Sequence, residues 1–241
     1  MPETIVPKRA MVIVAHPDDA EFTMAGTVAV WSARGCAVSY VICTRGDRGS
    51  NDPQVTPWAL ARLRDQEQRA AATILGVREV VILGHPDGTL EPTLDLRRDL
   101  TREIRRFRPD GVLTGDPTVR YYGDGYLNHP DHRAAASAAL DAVFPSAETR
   151  YVFPELLAEG LEPHRVRAVY IHGSSEPNVW IDISSVLERK IRALQCHASQ
   201  VDPEMAGEWI RAMAKSEGLD HGLDAAEAYR RIILHGDDEA V

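Results

Sequence analysis

The chain has 241 residues, 44% of them hydrophobic and 26% charged, a globular composition that excludes disorder and can bury a core without disulfides or metal staples. Its net charge of −9 argues against nucleic-acid binding, which needs a basic face. No apolar run approaches the ~18 residues of a membrane span, and Met1–Thr4 lacks the basic start of a secretory signal.

The elements follow in chain order. Met11–Ala15 is a continuous apolar run and predicts a strand buried on both faces. Ala20 to Arg34 reads as a helix closed by Gly35, and Ala37 to Cys43 as a second strand. The stretch from Thr44 to Pro57, rich in Gly, Asp, Asn and Pro, is a loop. Trp58 to Leu75 is a helix ending at Gly76, Glu79 to Leu83 a third strand, and Gly84 to Pro92 another loop. Leu96, Leu100, Ile104 and Phe107 then mark one face of an amphipathic helix. Its other face carries Arg97, Arg98, Arg102, Arg105 and Arg106 among Asp99 and Glu103, which reads as a solvated face and not as a basic patch. Pro109 stops this helix, and Gly111 to Thr114 is a fourth strand. Asp116 to His129 is a long loop carrying Tyr121, Tyr122 and Tyr126, and Pro130 to Phe144 is a helix that starts on proline. Val166 to Ile171 and Val179 to Ile183 read as strands; Ser184 to Ala198 and two later stretches read as helices.

Strands alternate with helices through the first 145 residues, which predicts a mainly parallel sheet with right-handed crossovers. The expected architecture is one Rossmann-like, three-layer α/β domain over residues 1–241, with strand order 3-2-1-4-5 and a C-terminal helical extension from about residue 184. Cys36, Cys43 and Cys196 form no CxxC pair, so a reduced, cytoplasmic setting is expected.

The first βα turn reads Ala15-His16-Pro17-Asp18-Asp19-Ala20-Glu21. It lacks the glycines that bring a backbone close to a pyrophosphate, which argues against a nucleotide cofactor there. A second polar cluster, Asn128-His129-Pro130-Asp131-His132-Arg133, follows the fourth strand. In the order 3-2-1-4-5 the first and fourth strands are neighbours, and their following helices take opposite faces. Both clusters then meet at the switch-point crevice. Two histidines and one carboxylate with an open fourth position make a catalytic zinc site. His16 and Asp19 can supply two ligands and His132 the third, leaving Asp18 and His129 inside the site but off the metal. The competing reading makes Asp18 or Asp19, and Asn128, simple helix N-caps.

His-Pro-Asp-Asp after the first strand and His-Pro-Asp-His after the fourth resemble the LmbE-like, or PIG-L, zinc-dependent de-N-acetylases. The likeness continues through Thr44-Arg45-Gly46-Asp47, Arg64 to Gly76, Leu83 to Gly88 and Cys196-His197-Ala198-Ser199-Gln200. It implies one zinc ion per chain on His16, Asp19 and His132, with Asp18 as general base and His129 as general acid or oxyanion stabiliser. It further implies that Asp131 orients a histidine, that Arg45 contacts substrate, and that His197 and Gln200 line the site. Homo-oligomers are the family's usual form. Tyr126 stands one place further from the histidine than in the mycothiol-type members.

The chemistry suits these residues. Zinc lowers the pKa of a bound water to ~7 and polarises an amide carbonyl. Asp18 can take the water's proton, and Asp131 beside His129 would favour its imidazolium. Asp87, at the end of the third strand, can reach the site or serve a turn. Tyr126 can stack on a sugar ring or pack its loop. No GxSxG elbow exists, so a serine hydrolase is not expected. The expected function is a zinc amidohydrolase acting on an N-acetylated amino sugar or its conjugate. The rivals are a zinc hydratase or lyase on the same fold, and a non-catalytic metal or sugar sensor.

Overall fold

The structure, a computed structural model, describes residues 6–235; the reading of Met1–Thr4 lies outside them. In chain order the main elements are β1 (Arg9–Val14), α1 (Asp19–Thr23), α2 (Ala25–Ala33), β2 (Ala37–Thr44), α3 (Pro57–Leu75), β3 (Glu79–His85), α4 (Leu94–Phe107) and β4 (Gly111–Gly115). There follow β5 (Tyr121–Tyr122), β6 (Tyr126–Leu127), α5 (Pro130–Asp141), α6 (Glu155–Ala158), β7 (Ala168–His172), β8 (Val179–Asp182), α7 (Leu187–Leu194), α8 (Pro203–Leu219) and β9 (Ala226–Ile233).

The main sheet runs β3-β2-β1-β4-β7-β9-β8. Its first five members pair in parallel, which is the expected 3-2-1-4-5 order with β7 in fifth place. Alternation along β1 divides the core. Ala10, Val12 and Val14 join a cluster with residues of α1, α2, α3, α7 and α8, whereas Met11 and Ile13 join one with α4 and α5. These are the two outer layers of a three-layer fold. The face of α4 read from the sequence is the buried one: Leu96, Leu100, Ile104 and Phe107 are all in the core.

The structure corrects four readings. Of the two helices expected after Ala198, only α8 is present among the described residues, and Ala226–Ile233 is a strand: β9 inserts between β7 and β8 and pairs antiparallel with both. Its Ala, Glu and Arg residues favour a helix locally, but an unfilled sheet edge overrides that weak preference. The expected helix from Ala20 to Arg34 breaks at Met24. There Gly26 and Thr27 donate their N–H groups to the buried Glu227 carboxylate of β9, at 2.8 and 2.7 Å, which caps a new helix start. The helix expected to reach Phe144 ends at Asp141, and Phe144 is extended before Pro145. Arg105 does not face solvent. It is buried and donates to the carbonyls of Ser146, Ala147, Thr149 and Val152.

Candidate active site

The His16–Asp19 turn leaves the carboxyl end of β1, and the His129–His132 turn opens α5 beyond β4. Because β1 and β4 are hydrogen-bonded neighbours, the two clusters converge. Asp19 stands between two imidazoles. Its Oδ1 is 3.0 Å from Nε2 of His132, and its Oδ2 is 3.5 Å from Nδ1 of His16. Oδ2 also accepts from the N–H groups of Ala15 and His16, which fixes the carboxylate to its own turn.

Each histidine is held by its far nitrogen. Nε2 of His16 meets Asp87 at 3.1 Å and Asp131 at 3.3 Å, so Nδ1 is the atom left facing Asp19. Nδ1 of His132 lies 3.3 Å from Oδ1 of Asn128; an amide oxygen only accepts, so Nδ1 carries the proton and Nε2 faces Asp19. Asn128 is thereby a histidine orienter and not the helix cap. The cap position belongs to His129, whose Nδ1 accepts from the Asp131 N–H at 3.1 Å. A backbone N–H only donates, so the His129 proton sits on Nε2.

The electrostatics follow from burial and these contacts. Burial opposes a charge on His16, but Asp19, Asp131 and Asp87 outweigh it and push its pKa up to about 12. Burial likewise opposes a charged His132, and Asp19 overrides it to raise that pKa. For His129 the outcome is reversed. Burial and then His16 lower its pKa against the pull of Asp131, which corrects the expectation of a His129 imidazolium favoured by Asp131. The histidine that Asp131 contacts most closely is His16, and the Asp131 carboxylate also accepts from Gly88 and Leu90 N–H groups.

Asp18 is buried beside this group. It occupies the position before α1 yet makes no side-chain cap bond, so its carboxylate is not spent on the helix. Its backbone is left-handed, with φ 94°, a conformation that costs a non-glycine residue about 1–2 kcal/mol and recurs at functional sites. Burial and then Asp19 raise the Asp18 carboxyl to about 7, against the opposing pull of Arg64. Nη2 of Arg64 holds Oδ2 of Asp18 at 2.9 Å, and Nη1 donates to the Gly46 carbonyl at 2.9 Å. Gly46 has φ +61°, and any Cβ there would collide with this guanidinium, so the loop after β2 needs glycine.

The remaining residues fall at different depths. Asp87 is buried and its other oxygen accepts from the Arg48 N–H at 2.7 Å, which makes it a partner of His16 on the site's floor. Arg45 is exposed, beside Gly84, and Tyr126 is half exposed in the β5–β6 hairpin, where a cleft of about 310 Å³ is lined by Tyr121, Gly123, Asp124, Gly125, Tyr126 and Leu127. His197 is fully buried, with Nε2 at 3.2 Å from Glu21, so the structure corrects its expected placement against substrate. Arg64, Gln68 and Glu21 were not singled out from the sequence. Their signals were the place of Glu21 in the first βα turn and the spacing of Arg64 and Gln68, four apart on one helix, within the Arg64 to Gly76 stretch of the likeness.

Two trios have donor atoms near enough to share a metal ion: His16, His129 and His132, and His16, Asp87 and Asp131. Among the described residues no helix is long and apolar enough to cross a membrane.

The chain is similar to several known proteins. The PIG-L family model, described as GlcNAc-PI de-N-acetylase, matches residues 11–143, a span that includes both polar clusters. A diacetylchitobiose deacetylase of Thermococcus kodakarensis is 34% identical over 234 residues, covering 95% of this chain and 85% of that protein. The structure of N,N'-diacetylchitobiose deacetylase from Pyrococcus horikoshii, complexed with an inhibitor, is similar with a TM-score of 0.86 at 30% identity, covering 94% of this chain and 84% of the other. The 4-carboxy-2-hydroxymuconate hydratase of Pseudomonas putida KT2440 shares the fold, with a TM-score of 0.80 at 24% identity over 97% of this chain and all of the other. With the family match spanning more than half its length, the chain belongs to the PIG-L, or LmbE-like, de-N-acetylase family.

Proposed function

We propose that this protein is a zinc-dependent N-deacetylase that hydrolyses the acetamido group of an amino sugar or amino-sugar conjugate. The observation that carries the reading is Asp19 set between Nδ1 of His16 and Nε2 of His132, with the buried Asp18 carboxyl alongside. The diacetylchitobiose deacetylases among the relatives support the substrate class.

The donor set fits a catalytic zinc best on the Nδ1 side of His16. On the Nε2 side a single imidazole meets two carboxylates, Asp87 and Asp131, and both oxygens of Asp131 already accept from the Gly88 and Leu90 N–H groups. On the Nδ1 side the Asp19 carboxylate stands between two imidazoles, Oδ2 at 3.5 Å from His16 and Oδ1 at 3.0 Å from His132, and these residue types match the two-histidine, one-carboxylate set of a catalytic zinc. His16, Asp19 and His132 would hold one ion per chain. Asp87 and Asp131, accepting from Nε2–H, would fix the His16 tautomer, and Asn128 that of His132. When bound, the ion supplies a Lewis acid that acidifies water and polarises the amide carbonyl.

The chain's own groups do the rest. Asp18, near neutral in pKa, accepts a proton from the attacking water. The neutral His129 donates from Nε2 to the oxyanion that forms on the substrate carbonyl. The C–N bond then breaks, the amine leaves with a proton from Asp18 or His129, and acetate remains. Arg45 and Tyr126, exposed at the rim, are the substrate contacts in this scheme. The three cysteines are free thiols, which fits a reduced, cytoplasmic setting.

The test is to incubate zinc-loaded protein with diacetylchitobiose and other N-acetylglucosamine conjugates and measure acetate and primary amine. Equal amounts of both are expected. No acetate from any of them, with an unsaturated carboxylate gaining the mass of water, would replace this reading with the hydratase.

A further inference from the structure

Behind Asp18 lies a buried polar chain that the scheme above does not use. Two residues of α3, one turn apart, grip the same peptide bond. Nη2 of Arg64 donates to the Pro17 carbonyl at 2.5 Å, and Oε1 of Gln68 accepts from the Asp18 N–H at 3.0 Å. The two ends of the Pro17–Asp18 peptide are therefore both fixed by one helix. This is the peptide that leads into the left-handed Asp18. The Gln68 amide has a single workable orientation, because its Nε2 donates to both oxygens of Glu21, at 3.1 and 3.2 Å. Glu21 is in turn met by Nε2 of His197, at 3.2 Å, from the turn between α7 and α8. Gln68, Glu21 and His197 are all fully buried.

A buried amide fixed on both sides is a rigid strut, since breaking either bond leaves a desolvated polar group unpaired. We infer that Gln68 is a positioning residue for Asp18, holding the strained turn that aims its carboxylate, and that Glu21, itself met by His197, fixes the Gln68 amide that does so. This rests on the reading of Asp18 as the base. Arg64 touches the Asp18 carboxylate directly. At Asp18, Gln68 meets only the backbone N–H and not the carboxylate, so its influence on the base is geometric. Misplacement of a catalytic group by about 1 Å can cost 10²-fold in rate.

The experiment uses the zinc-loaded, full-length protein and three variants: Gln68→Leu, Gln68→Glu, and the exchange Gln68→Glu with Glu21→Gln. Gln68→Leu removes the acceptor for the Asp18 N–H. Gln68→Glu keeps the acceptor but sets two carboxylates face to face. The exchange restores a donor between positions 21 and 68 with the pattern reversed. We expect kcat to fall about 10²-fold in both single variants, with KM and zinc content unchanged, and most of it to return in the exchange. The Asp18 amide, followed by hydrogen exchange, should lose protection in Gln68→Leu. Unchanged kcat and unchanged Asp18 exchange in Gln68→Leu would overturn the inference. So would a loss of rate that merely tracks lost zinc or lost folded protein, or an exchange variant no better than Gln68→Glu. Full turnover by zinc-loaded Asp18→Asn would instead overturn the base assignment and with it the catalytic consequence, while Asp18 amide exchange would still report whether Gln68 holds the turn.

Discussion

Zinc binding should release protons, in a number set by the geometry around Asp19. Without metal, His16 has its pKa pushed up to about 12 by the carboxylates that overcome its burial, so at pH 7 its imidazole carries two protons. His132 is raised in the same way by Asp19, so part or all of its population is also charged there. Ligation through Nδ1 of His16 and Nε2 of His132 needs both atoms bare. Between about one and two protons should leave per ion, one of them always from His16. The apparent association constant should accordingly rise about 10- to 100-fold per pH unit around neutrality. The count is best taken in Asp18→Asn, where the Asp18 carboxyl, itself near 7, adds no proton of its own. Calorimetric titration in two buffers of different ionisation enthalpy gives the number, and chelator competition across pH gives the slope. His16→Gln should remove one proton from the count and most of the affinity. Asp131→Asn should keep the proton and lose about 10–100-fold in affinity, the usual effect of removing a ligand's orienting partner. The same charge has a stability consequence. The folded pKa of His16 lies above its ordinary 6.5, so the metal-free protein has the full benefit below that pH and loses it as pH rises towards about 12. A proton count of zero, with a flat affinity profile, would refute the placement of the ion between these two histidines.

Further outcomes follow from single groups. Asp18→Asn should keep its zinc, by elemental analysis, and lose about 10²–10⁴-fold in kcat, by acetate release. His129→Ala should lose about 10²–10³-fold in kcat with little change in KM; a rate equal to the parent's would leave His129 without a role at the oxyanion. Lys190→Met strips the ammonium 2.6 Å from the buried Glu227 carboxylate and should cost about 3–5 kcal/mol, read as a lower urea midpoint. Adding Glu227→Gln should recover part of that loss, because no buried charge is then left unpaired. Light scattering at micromolar concentration should find a homo-oligomer, and a monomer there would count against it.

What the sequence disclosed depended on how far each signal had to reach. The two His-Pro-Asp clusters were legible because a topological rule, the adjacency of strands one and four, joins residues more than a hundred positions apart, and β1 does pair with β4. Leu96, Leu100, Ile104 and Phe107 were legible from periodicity alone, which requires only one helix and one core. Where a residue's meaning depends on a partner that no rule supplies, the local signal misled. Arg105 looks like its neighbours Arg102 and Arg106, yet it alone is fully buried, because the chain after α5 brings four carbonyls over it. Ala226–Ile233 has helix-forming composition, and only the gap between β7 and β8 makes it a strand. Arg64 and Gln68 have the spacing of an ordinary pair on a solvated helix. Their function comes from the Pro17–Asp18 peptide, which reaches α3 from 46 to 50 positions away, and from Glu21, which fixes the Gln68 amide. The groups proposed to do chemistry at this site carry recognisable side chains, whereas the groups proposed to aim them are commonplace residues defined by where the chain returns. The exchange at positions 21 and 68 tests that distinction, since it preserves composition and net charge while reversing which side chain donates and moving the carboxylate from position 21 to position 68.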